Sequence, residues 1–191
     1  LRGCACRERF ATWCFVGLRS SKFDRIRERM NHSEYVIDRG ARDKASQIFR
    51  DFISGKISNN AFADACPGTD DRAVLAIWDT AWLFYDDFKD HHLTGRYRLS
   101  PEQRRACVRW ILFLQGDLPY VWPDIRFPGA DPAARVEPSV LRRLLFSSSA
   151  IDPERAASFL AAGHYPVWPF QKVADYKQSL TAPRLLAGHR G

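Results

Sequence analysis

The stretch from Ser100 to Gly116 leaves this chain little choice of architecture. Ser100 is placed to cap a helix, Pro101 suits its first turn, and Gln103 is placed to complete a capping box. Gly116 stands where a helix starting there would stop. Within it, Trp110-Ile111-Leu112-Phe113-Leu114 is apolar around nearly the whole circumference. A helix that is apolar all round has to be covered on several sides. The rest of the chain must therefore supply that cover.

Most of the remaining signals are helical. Ala45, Ile48, Phe49, Phe52 and Ile53 recur at the spacing of one helix face, and Gly55 follows as a stop. Ser58 predicts the cap of a short helix through Cys66, closed by Pro67-Gly68. Asp70 or Asp71 caps a helix expected to run from Arg72 to His92. Pro119 to Pro138 holds five prolines in twenty residues and predicts an irregular, extended connector. Pro138 then opens a helix over SVLRRLLF, and Asp152-Pro153-Glu154 opens another that ends at Gly163. The tail TAPRLLAGHRG reads as loosely held. No pair of strands with a hairpin turn is visible. The expected class is mainly α: a compact, bundle-like array of about five to seven helices with a Pro/Trp-rich connector and no substantial sheet. Its expected core is Trp78, Trp82, Phe84, Phe88, Trp110, Ile111, Phe113 and Leu114.

Charge is unevenly distributed. The formal net charge is +7. Residues 1–29 hold eight Lys/Arg against three Asp/Glu, whereas the following residues are nearly balanced. The body gives no global signal for nucleic acid. Residues 1–29 are read as a basic extension, non-native or flexible, and 30–191 as a single helical domain. Met30 is the only methionine and directly follows the extension, so a start of translation there is one expectation. A second is a basic arm in which Arg9, Phe10, Trp13, Phe15, Arg19, Lys22 and Phe23 touch phosphates and stack bases. Nucleic-acid binding is expected only through this arm. Cys4, Cys6, Cys14 and His32 carry no regular zinc spacing. The five scattered cysteines fit a reducing cytoplasm, and the Arg- and Ala-rich usage fits a bacterial genome. No apolar run approaches the length that spans a bilayer, so a soluble protein is expected.

The chemically densest segment is Trp78 to His92, with four Asp and two His. Taken as part of the helix from Arg72, it shares a wide buried face of Val74, Leu75, Ile77, Trp78, Ala81, Trp82, Phe84, Tyr85 and Phe88. Asp87 and His91 then stand at i, i+4, with Asp86 or Asp90 as a third ligand, a pattern that can hold a metal. The alternative is structural. Acids at a helix C-terminus oppose the macrodipole by about 0.3–1 kcal/mol each. Arg96, Arg98, Arg104, Arg105 and Arg109 come soon after, and an antiparallel neighbour would pair them with those acids. The structural reading accounts for every charge and is preferred.

A short repeat is also present: GDLPYVWPDIRF at 116–127 and GHYPVWPFQKV at 163–173. Each follows a helix end and gives Pro, Val, Trp and Pro with a tyrosine nearby. The preferred reading is that Trp122 and Trp168 plug apolar gaps while Pro123 and Pro169 fix the backbone. The alternative is a ligand- or peptide-binding groove lined by Tyr120, Trp122, Tyr165, Trp168, Phe170 and Tyr176.

Phosphate-binding loops, dinucleotide fingerprints, zinc-protease and nucleophile-elbow motifs are absent from the sequence. No residue makes a catalytic case, and no cofactor is implied. The expected function is therefore non-enzymatic: an interaction or accessory protein with a protein partner and no membrane. The alternatives are a metal-dependent, hydrolase-like enzyme using Asp86, Asp87, Asp90 and His91, and nucleic-acid binding through residues 1–29.

Overall fold

A computed structural model describes residues 36–86, 88–136 and 151–181. The described chain is mainly helical and contains no strand. Its helices in chain order are α1 (Arg39–Ile53), α2 (Asn59–Asp64), α3 (Arg72–Ala81), α4 (Pro101–Gln115), α5 (Ala133–Val136), α6 (Pro153–Ala161) and α7 (Val173–Leu180). Short 3-10 turns lie at Trp82–Phe84, Gly95–Tyr97 and Tyr165–Val167.

Local chemistry explains most of the starts. The Asp38 carboxylate accepts from the Ala41 amide and caps α1. Ser58 does the same for α2 through the Ala61 amide, and Asp71 for α3 through the Ala73 amide. Ser100 and Gln103 form a reciprocal capping box on α4, with Pro101 in its first turn. Asp152 caps α6 ahead of Pro153. After α1, Gly55 turns the chain with a φ of 75°, a left-handed conformation that glycine adopts without a Cβ clash. A Cβ there would also sit 2.6 Å from Thr94 Cγ2.

α1 and α4 pack together as the central pair. α2 and α3 rest on α1, α7 rests on α4, and α5 meets α6. Trp110, Ile111, Leu112, Phe113 and Leu114 are all buried, as an all-round apolar helix half requires. From α1, Phe49 and Phe52 meet Phe62 of α2. Phe62 in turn stacks on Trp78 at 4.2 Å. Such ring pairs add to the burial of large apolar area.

The structure corrects the sequence reading at three places. α3 does not run to His92. It ends at Ala81, tightens through Trp82–Phe84, and leaves helical geometry at Tyr85, whose φ and ψ are −87° and 149°. Phe88 is consequently not core but 85 % exposed, while Trp82 and Phe84 are half-buried. Finally, α5 and α7 form where no helix was expected; Val173, Tyr176 and Leu180 supply the weak helical spacing of α7. The expected helix at SVLRRLLF, the tail, the basic arm and His32 lie outside the described residues.

Candidate functional site

The segment after α3 is built around Asn59, the first residue of α2, which is fully buried. Its side-chain amide donates to the Asp86 carbonyl at 3.1 Å and the Lys89 carbonyl at 3.3 Å. Its side-chain oxygen accepts from the His91 amide at 2.6 Å, and its own backbone amide donates to the His91 carbonyl at 2.9 Å. One buried side chain thus holds three residues of the loop. Asp86 accepts from the Phe88 amide at 2.9 Å, a local side-chain turn that competes with helix. These contacts give the Asp86, Lys89 and His91 carbonyls and the Phe88 and His91 amides partners outside a helical ladder.

Asp86, Asp90, His91 and His92 have structural occupations. The carboxyl of Asp90 is held below the ordinary range by the Ser58 hydroxyl first and the Asn60 amide next. Asp90 therefore serves the N-terminus of α2, where a negative charge is favoured. The ring of His91 stacks on Tyr97 at 4.1 Å, and its Nδ1 lies 3.1 Å from the Lys89 carbonyl, a contact that requires the proton on Nδ1. His92 is exposed, with its Nδ1 2.9 Å from the Gly55 carbonyl. Asp87 lies outside the described residues. The helix expected to carry these residues ends at Ala81, and Tyr85, Asp86 and Phe88 to His92 are not helical. Among the described residues, no three His, Cys, Asp or Glu come together as a metal site.

Among the described residues, three of the arginines expected to pair with these acids have other partners. Arg105 pairs with Glu102 at 3.0 Å on its own helix. Arg96 donates to the Tyr97 hydroxyl, and Arg109 donates to the Trp168 carbonyl at 2.7 Å. Asp79, on α3, accepts from the Phe127 amide at 2.5 Å and anchors the connector. What remains at the tip of the loop is Phe88, bare to solvent, with Asp86 half-buried and Lys89 and Asp90 exposed beside it.

The two Val-Trp-Pro segments clasp each other. Trp122 Nε1 donates to the Pro169 carbonyl at 2.8 Å, and Trp168 Nε1 donates to the Tyr120 hydroxyl at 3.2 Å. The Trp168–Pro169 peptide is cis. Trp168 packs edge-on against Trp110 of α4 at 5.6 Å, so the clasp covers the central helix. Of the candidate groove residues, Tyr120, Trp122, Trp168 and Phe170 are buried, and Tyr165 and Tyr176 are half-buried at the edge. Burial pushes the Tyr120 and Tyr165 hydroxyls above the ordinary tyrosine range. The rings fill space between the segments and α4.

A feature that the sequence reading missed lies at the opposite end of α4. Arg42 and Asp71 form a bidentate ion pair, at 2.5 Å and 3.1 Å, with both side chains 1 % exposed. Arg42 also donates to the carbonyls of Gly116 and Leu118, and its guanidinium lies 5.5 Å from the centre of the Phe113 ring. Asp71 additionally accepts from the amides of Asp38 and Ala73. Arg39 reinforces the clamp by donating to the carbonyls of Leu114 and Gly116. The clamp joins α1, the start of α3 and the end of α4. Its polar atoms are used in holding the fold. Cys107, the thiol of α4, is buried, and desolvation pushes its pKa well above the ordinary range, which disfavours the thiolate.

Compared with family models, with curated proteins and with solved structures, the chain matches none. Among the described residues no helix is long and apolar enough to cross a membrane.

Proposed function

We propose that this chain is a non-enzymatic protein-binding module that presents Phe88 to its partner. The observation that supports the reading is the contrast between Phe88 and its surroundings. Phe88 is 85 % exposed, yet residues on either side of it are fixed by Asn59. An exposed aromatic is unfavourable in water, and a held loop lowers the entropy cost of docking it. Aromatic anchors of this kind carry much of the energy at protein interfaces.

The charges beside the ring define the partner. Asp86, Asp87 and Asp90 outweigh Lys89 in the sequence of the tip. The matching surface is an apolar pocket with a basic rim, and the association weakens with salt. The scattered cysteines fit a partner met in a reducing cytoplasm.

The test replaces Phe88 with a photo-crosslinking phenylalanine analogue and irradiates the protein in native lysate. The reading expects one predominant protein adduct, suppressed by an excess of unlabelled wild type and not by an excess of Phe88→Asp. Adducts that both competitors suppress equally would overturn it.

A further inference from the structure

Arg109 sits on α4 beside the second Val-Trp-Pro segment, and its electrostatics are incomplete. The side chain is half-buried. Its Nε donates to the Trp168 carbonyl at 2.7 Å, which fixes the guanidinium against the clasp. The guanidinium lies 6.0 Å from the centre of the Tyr176 ring on α7. Its two terminal amino groups have no hydrogen-bond partner among the described residues. The remaining N–H donors of the fork make no bond to the described residues and are open to solvent, held in place by the Nε contact.

Among the described residues none supplies a counter-charge. Desolvation pulls the Arg109 pKa below its ordinary value, and the ionisable groups that act on it are Tyr176, Tyr165 and Cys107, none of them a carboxylate. Burial pushes Tyr165 and Cys107 up, which keeps both neutral at pH 7. Glu102, the acid of the same helix, is committed to Arg105. An oxyanion seated on the open side of the fork would supply the opposite charge that these neighbours lack. The contrast with Arg42 is direct, since that arginine meets a carboxylate and two carbonyls.

We propose that Arg109, with the ring of Tyr176 beside it, is a binding site for the oxyanion of a small organic carboxylate or phosphate. The planar fork matches either group through paired N–H donors. The aromatic neighbour favours a ligand whose anion is carried on an apolar body. The site is separate from the Phe88 loop, and this inference does not rest on the protein-binding reading.

The experiment titrates the full chain with benzoate, phenyl phosphate and inorganic phosphate, with sodium chloride at matched ionic strength as the control. Two quantities are read: the thermal midpoint and the NMR signal of the Arg109 side-chain N–H. A ligand that binds only the folded state raises the midpoint in a saturable way. The expected result is a saturable rise, accompanied by movement of the Arg109 signal. Response to benzoate alone identifies a carboxylate ligand, and response to the two phosphates alone identifies a phosphate ligand. Arg109→Met should weaken binding by about tenfold or more, and Arg109→Lys should weaken it too, because it keeps the charge and loses the fork. The wild-type NMR signal carries the test if the methionine variant fails to fold. A midpoint that follows ionic strength alone, or a saturable rise with the Arg109 signal unmoved, would overturn the proposal.

Discussion

Removing the carboxylate of Asp71 should damage the protein more than any surface change. Asp71→Ala deletes the acceptor for Arg42 Nε and Nη2 and for the amides of Asp38 and Ala73. Arg42, at 0 % exposure, is then left as a buried charge with only carbonyl partners. Losing one member of a buried pair costs about 3–5 kcal/mol. Losing the cap of α3 adds about 1 kcal/mol. The sum approaches the whole stability of an ordinary domain, about 5–15 kcal/mol. A gentler cycle isolates the pair: Asp71→Asn keeps an acceptor for the Ala73 amide, and Arg42→Met keeps apolar volume against Phe113. Urea melts of the two single variants and the double should give a double that is less destabilised than the sum of the singles. The expected coupling is about 2 kcal/mol or more, within the range seen for residues in one network. Additive losses, or a loss below about 1 kcal/mol for Asp71→Ala, would refute the reasoning, because the clamp would then not hold α1, α3 and α4 together.

Three further outcomes follow from the same structure. Gly129→Ala should destabilise by about 1–3 kcal/mol in a denaturant melt, since its Cβ would fall 2.5 Å from Thr80 Cγ2 and 2.8 Å from Trp168 Cζ3. An unchanged midpoint would mean that the connector is not seated on the tryptophan clasp. Trp168→Ala should cost about 3–5 kcal/mol by opening a cavity beside Trp110 and stranding the Tyr120 hydroxyl; a loss under about 1 kcal/mol would remove the clasp from the core. The carboxyl of Asp38 is lowered chiefly by the Ala41 amide and then by the Thr69 hydroxyl. A depressed folded pKa gives stability that is present above the unfolded value of about 3.9 and is lost as pH falls through the lower folded value. Asp38→Asn should therefore flatten the acid limb of the stability curve in that window, and an unchanged limb would contradict the capping role.

Helix starts were legible because their chemistry is local. Ser100, Ser58, Asp71 and Asp152 each accept an amide two or three residues ahead, and a sequence displays that spacing directly. The end of α3 was not legible, because the segment after it is held by Asn59, 27 residues earlier in the chain than Asp86. Two signals pointed that way: aspartates facing the unfavourable end of a helix dipole, and a run of aromatic residues with modest helix propensity. Arg42 could have been found from the sequence. It falls on the stripe of Ala45, Phe49 and Phe52, and a charge on a buried stripe demands a partner. The repeat of Val-Trp-Pro was visible, but that its two copies donate to each other is a tertiary fact.

The most direct test of the central claim is the affinity of the crosslinked partner, once purified, for wild type and for Phe88→Asp by calorimetry, with a thermal melt of each. Phe88 is exposed, so its replacement should shift stability by no more than about 0.5 kcal/mol. As an interface anchor, it should weaken binding by about 2 kcal/mol or more, roughly thirtyfold. Equal affinities would contradict the account. So would a large loss of stability in Phe88→Asp, because it would return the ring to the core and the loop to a helix.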